Sequence, residues 1–179
     1  MTPHTFISKL NWRQVLIHFF GAWLIAQSFP LLTKLCSIKS YENLQIITGN
    51  DKEKIQLLLN NDFYNDAFFY FWFTEATWIL GLLAAFIISL VIAKRKKWFW
   101  VNSLIVFILL FVLMRWKISG WGFLKYIFLA PGEIFRSNLL WLLTNGLVLL
   151  GLGLFVFYYK KFNDFIDGRK IAIGANAHS

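Results

Sequence analysis

Glu75 is the one carboxylate within an apolar run of this chain, in the stretch Phe73-Thr74-Glu75-Ala76. An ionisable group inside hydrocarbon is costly and calls for a partner or a task. Arg115 ends another apolar run, and Glu133 and Arg136 lie just before a third. With Gln27, a polar residue of the first run, they make up a candidate intramembrane or interfacial polar cluster: Glu75, Arg115, Glu133, Arg136 and Gln27. The chemistry open to such a cluster is an interhelical ion pair or a polar path for an ion or proton. A structural reading stands beside it. Glu75 lies about one turn inside the hydrocarbon if that layer begins near Phe71, so it can reach interfacial water. Both arginines can reach lipid phosphates.

Other reactive side chains are isolated. Cys36 is the only cysteine, so no intrachain disulfide forms. Lys34 and Lys39 are its charged neighbours, but no histidine is expected beside it to act as a base. His18 has no Cys, Asp or Glu at ligand spacing and is read as bonding across a helix bundle or to Gln14, one turn away. Asn102, Thr144 and Asn145 are further polar residues within apolar runs, and Asn138 and Asn145 share a helix face. There is no nucleotide-binding loop, no His-Glu-x-x-His and no Gly-x-Ser-x-Gly. No catalytic residue, metal ligand or cofactor is assigned.

The elements that must position these residues are long apolar helices. Apolar residues make up 58% of the 179 and aromatic residues 20%, and the excess lies in blocks. Soluble domains rarely pass about half apolar. Four blocks predict spanning helices near residues 15–33, 67–93, 98–114 and 138–159. Basic residues cluster at one set of ends: Lys9 and Arg13, Lys94 to Lys97, then Lys160, Lys161, Arg169 and Lys170. Lys/Arg-rich connections stay in the cytoplasm. The fold class is therefore an all-α integral membrane four-helix bundle with both termini inside. The expected location is a bacterial inner membrane. The net charge of +9 is explained by orientation and by anionic head groups rather than by nucleic acid.

Local signals refine this picture. Asn11 is placed to cap the first helix, and Pro30 is expected to kink or end it. The first run has no Ala-x-Ala cleavage pattern after it and is read as a retained signal anchor. Residues 34–66 form the long polar stretch, with a turn at Gly49-Asn50-Asp51 and a short amphipathic helix near 52–59. Residues 116–137 are aromatic-rich and too short to span, which predicts an amphipathic or re-entrant outer segment between the third and fourth helices. Gly81, Ala85 and Ser89 recur every four residues and, with Gly146, Gly151 and Gly153, are the candidate helix-packing positions. The membrane domain is drawn over residues 1–163, with a flexible cytoplasmic tail over 164–179.

The Phe/Tyr-rich segment Asn61-Asp62-Phe63-Tyr64-Asn65-Asp66 before the second run, together with size and hydropathy over residues 61–161, resembles the small four-helix membrane proteins associated with bacterial exosortase systems. That resemblance implies an accessory role in surface-protein sorting or export. Exosortases themselves use a Cys and Arg residues on the outer side, as Cys36, Arg115 and Arg136 would lie. The sequence around Cys36 departs from the family's pattern, so no catalytic role is carried over. Three functions follow in order: a non-catalytic accessory or assembly subunit, a small oligomeric transporter or channel with a polar path around Glu75, and an intramembrane enzyme. The expected partners are the lipid bilayer and another membrane protein or a second copy.

Overall fold

The computed structural model describes residues 9–39, 42, 63–115, 134–135 and 137–168. Among these the chain is helical, with no strand. The helices are α1 (Trp12–Lys34), followed by a 3-10 turn at Leu35–Ser37, α2 (Phe63–Arg95), α3 (Val101–Arg115), α4 (Asn138–Tyr158) and α5 (Lys160–Ile166). Residues 43–62 and 116–133, where the amphipathic and re-entrant segments are expected, lie outside the described residues.

Helix α1 begins where Asn11 adopts an extended backbone and its side-chain oxygen accepts from the amides of Arg13 and Gln14 at 3.1 and 3.2 Å. This is a side-chain N-cap, and it satisfies two amides that the first turn leaves unbonded. Pro30 lies inside the helix, which continues to Lys34. Proline has no N–H to donate. Hydroxyls nearby also bond back to the ladder, at carbonyls other than the Ala26 carbonyl that Pro30 cannot serve: Ser28 donates to the Ile25 carbonyl and Thr33 to the Phe29 carbonyl, each at 2.7 Å.

Helix α2 is longer at both ends than the apolar run, with 33 residues or about 50 Å of length. It stops in a Schellman-type cap. The Trp98 amide donates to the Ala93 carbonyl at 2.8 Å and the Lys97 amide to the Lys94 carbonyl at 3.3 Å. Lys97 adopts φ +57° to make this possible, a position glycine usually fills. The cap and the turn after it take up Trp98 to Trp100, so α3 begins at Val101 rather than at Trp98. The chain stays helical to Ile166, past the expected start of the tail, and Ile166 is buried.

Helix α1 is the centre of the bundle and packs against α4, α2 and α3. Its neighbours follow a consistent register. Along α4, Gly21 faces Val156 and Phe157, Ile25 faces Gly153, and Leu32 faces Gly146. Along α2, His18 meets Ser89, while Ala26 and Phe29 meet Gly81. Both pairs are antiparallel. Helices α2 and α3 are also antiparallel, with Ser89 against Ser103, Phe86 against Phe107 and Trp78 against Phe111.

Three stretches are long and apolar enough to cross a membrane: α1, residues 76–95 of α2, and α4. The apolar part of α3, Val101–Met114, is shorter. Its length of about 21 Å falls below a hydrocarbon core of about 30 Å. The outer surface is apolar as well as the core. Leu16, Ile87, Ile108, Leu147 and Phe155 are all at least half exposed. Apolar area this extensive is unfavourable against water and indifferent against lipid, which marks this as a membrane protein.

Candidate functional site

Five of the polar side chains buried in the bundle gather at one end, whereas Ser28, Thr77 and Asn145 are buried nearer the other. Gln14 and His18 sit one turn apart on α1, Ser89 comes from α2, and Asn102 and Ser103 open α3. All five are at most 1% exposed. A buried polar atom is costly unless bonded, and these residues bond across helices. Asn102 Nδ2 donates to Gln14 Oε1 at 2.7 Å, and Asn102 Oδ1 accepts from the Asn11 amide at 3.3 Å. His18 Nδ1 lies 2.7 Å from Ser89 Oγ, which lies 2.7 Å from Ser103 Oγ.

The proton count in this chain has a consequence. A hydroxyl carries one hydrogen. The two serine hydroxyls can be ordered either way, so His18 Nδ1 either donates to Ser89 or accepts from it, and its Nε2 takes the opposite role. That Nε2 atom and Gln14 Nε2 have no hydrogen-bond partner among the described residues. Two buried nitrogens are thus left over, one turn apart on the same helix. The imidazole is walled by Phe157, with ring centroids 4.9 Å apart at 70°, and by Trp98 at 5.7 Å. Comparison with protein-family models, with curated proteins and with solved structures gave no match. The chemistry must be read from these side chains alone.

The network reaches the surface at the same end. Asn11 Nδ2 donates to the Ile166 carbonyl at 3.0 Å, and Arg13 Nη1 to the Phe165 carbonyl at 3.3 Å. Trp98 Nε1 donates to Asp167 Oδ1 at 2.6 Å. These bonds tie α5 to the start of α1 and to the α2–α3 turn. Asn163 Nδ2 secures the α4–α5 corner by donating to the Phe157 and Tyr159 carbonyls, each at 3.3 Å. An open groove of about 470 Å³ lies outside the join, lined by Lys9 to Arg13 and Ile166 to Gly168. Among the described residues, no group of three or more His, Cys, Asp or Glu side chains could hold a metal ion.

Of the cluster read from the sequence, backbone positions 75 and 115 lie toward the other end. The antiparallel register of α2 and α3 puts backbone positions 75 and 115 at nearly the same height. The side chains of Glu75 and Arg115, and residues Glu133 and Arg136 as a whole, lie outside the described residues. Gln27 is half-buried on α1, level with Gly81 and so about 9 Å along the axis from position 75. Gln27 is therefore not at the level of Glu75.

The helix-packing positions divide. Added Cβ atoms at Gly81, Gly146 and Gly153 would come within 2.9 Å of Phe29, 2.6 Å of Leu32 and 2.6 Å of Ile25, respectively. Ala85 and Ser89 are buried on the same face of α2 as Gly81. Gly151 has nothing within 4 Å and points outward. Sequence reasoning missed Gly21, whose carbonyl would be 2.9 Å from a Cβ at Gly153. It also missed Ser103, and it read Ser89 for its size rather than its hydroxyl. The available signal was the Asn102-Ser103 pair opening an otherwise apolar helix.

Proposed function

We propose that the chain crosses a bacterial inner membrane four times, with both termini in the cytoplasm, and serves as a non-catalytic accessory or assembly subunit of a larger membrane complex. The observation that carries this reading is where the buried polar groups are used. Gln14, His18, Ser89, Asn102 and Ser103 hydrogen-bond from helix to helix, so they hold the bundle in one arrangement. Interhelical polar bonds of this kind specify packing within lipid. The outer face is left apolar for lipid and for a partner helix.

The four-crossing topology draws on the same end of the bundle. The start of α1, the α2–α3 turn and α5 come together there, and Lys9, Arg13, Lys94 to Lys97, Lys160 and Lys161 are exposed around them. Basic residues so placed favour the cytoplasmic side. Helix α3 is short for a span, and Trp98 to Trp100 before it can sit in the interface and extend its reach. A role in protein sorting or export is the narrower version of this proposal.

Native copurification in mild detergent tests the accessory role. A defined heteromeric complex is the expected result, and a chain that elutes alone from its source membrane would overturn it. A second reading, a small oligomeric transporter or channel, draws on the unpartnered Gln14 Nε2 and His18 Nε2. Ion flux in liposomes that is lost in His18→Phe would favour that reading over the first.

A further inference from the structure

We propose that the groove between the start of α1 and the end of α5 binds the headgroup of an anionic glycerophospholipid, whose acyl chain lies along Trp12, Leu16 and Phe20. The groove is lined by two cations, Lys9 and Arg13, and one acid, Asp167. Asp167 is engaged by the Trp98 indole, which donates to it. Arg13 is held in place from inside: Nη1 donates to the Phe165 carbonyl, and the guanidinium lies 4.8 Å above the Phe165 ring. Five N–H bonds in a planar fork leave donors for a phosphate diester after that one contact. Gly168, at φ +70°, closes the far side, where even an added Cβ would lie 3.7 Å from Arg13 Nη1.

The second observation is the apolar track leading away from the groove. Trp12 lines the groove and is 62% exposed; Leu16 and Phe20 follow at 68% and 38%. Residues spaced by four stand above one another on a helix. The track therefore runs from the charged end up α1 toward the middle of the bundle, as a chain attached to a headgroup would run. The surrounding charge agrees, since exposed Lys94 to Lys97, Lys160 and Lys161 make this end strongly cationic. Juxtamembrane basic residues attract anionic lipid by about 1 kcal/mol each, or roughly fivefold in affinity. The inference rests on the membrane-spanning reading, which puts this groove at the interface, but not on the accessory role.

The test is titration of delipidated protein in detergent, read by native mass spectrometry. The ligands are phosphatidylglycerol, phosphatidylcholine with the same acyl chains, and inorganic phosphate. One phosphatidylglycerol should bind with a preference of roughly fivefold over phosphatidylcholine, the scale of two basic groups opposed by one acid. Lys9→Gln with Arg13→Gln should remove the preference, whereas Lys96→Gln should keep it. Trp12→Ala with Leu16→Ser should lower binding of both lipids and leave their ratio intact. Persistence of the preference in the Lys9/Arg13 double variant overturns the site, as does displacement of the lipid by an equal concentration of inorganic phosphate. Failure of the topology would appear separately, in cysteine labelling of intact cells, with lipid binding unchanged.

Discussion

His18 and Ser89 are 71 residues apart in sequence, yet the imidazole Nδ1 and the serine hydroxyl meet at 2.7 Å inside the bundle. The contact ties α1 to α2, and its continuation to Ser103 brings in α3. Three helices therefore share one polar chain near the basic end. That chain is where helix-to-helix bonding can be measured.

Ser89→Ala should lower stability in detergent by about 1 kcal/mol, because it strips His18 Nδ1 and Ser103 of a common partner. His18→Phe keeps an aromatic ring, somewhat larger, and removes both nitrogens. Thermal unfolding of the two single variants and the double variant gives a coupling energy, expected at about 0.5–2 kcal/mol. A coupling indistinguishable from zero would mean that the hydroxyl and the imidazole do not support each other.

The glycines of α4 should rank by what lies opposite them. Gly153→Ala pushes a methyl to 2.6 Å from Ile25 Cγ1 and 2.9 Å from the Gly21 carbonyl oxygen, and backbone cannot swing aside. A loss of about 1–3 kcal/mol is expected. Gly146→Ala meets the Leu32 side chain at 2.6 Å but backbone no nearer than 3.4 Å, and should cost less. Gly151→Ala enters open space and should be neutral or gain up to about 1 kcal/mol from helix propensity. Melting temperatures in one detergent test the order; a Gly151 variant as damaged as Gly153 would contradict the α1–α4 packing.

Lys97 holds a left-handed backbone at the C-cap of α2. An L side chain there costs about 1–2 kcal/mol that glycine avoids. Lys97→Gly should therefore raise the melting temperature, while Lys97→Val should lower it. Equal behaviour of the two variants would refute the cap geometry.

Cys36 is exposed just beyond α1, at the end of the bundle opposite the basic cluster. As the sole cysteine it reports sidedness without engineering. A membrane-impermeant maleimide should label it in intact cells. A cysteine placed by Lys96→Cys in a Cys36→Ser background should react only in inverted vesicles. The reverse pattern would invert the topology, and labelling of both positions from one side would remove a crossing.

Much of this architecture is local and so is legible in the chain. The existence and rough limits of the helices follow from contiguous apolar runs, and the Asn11 cap from one residue type before one run. The basic ends follow from charge counts. Which face of each helix turns inward does not follow. These helices are apolar nearly all the way round, so hydrophobic periodicity carries little direction. Small residues were the remaining guide, and they guide imperfectly: Gly151 and Gly153 look alike in sequence, but only Gly153 meets a neighbour. Tertiary structure alone decided that Gln14 finds Asn102, that His18 finds Ser89, and that α5 closes against Asn11 and Trp98. Each of these pairings joins residues 69 or more positions apart, where no local preference acts and only the register of packed helices selects the partner.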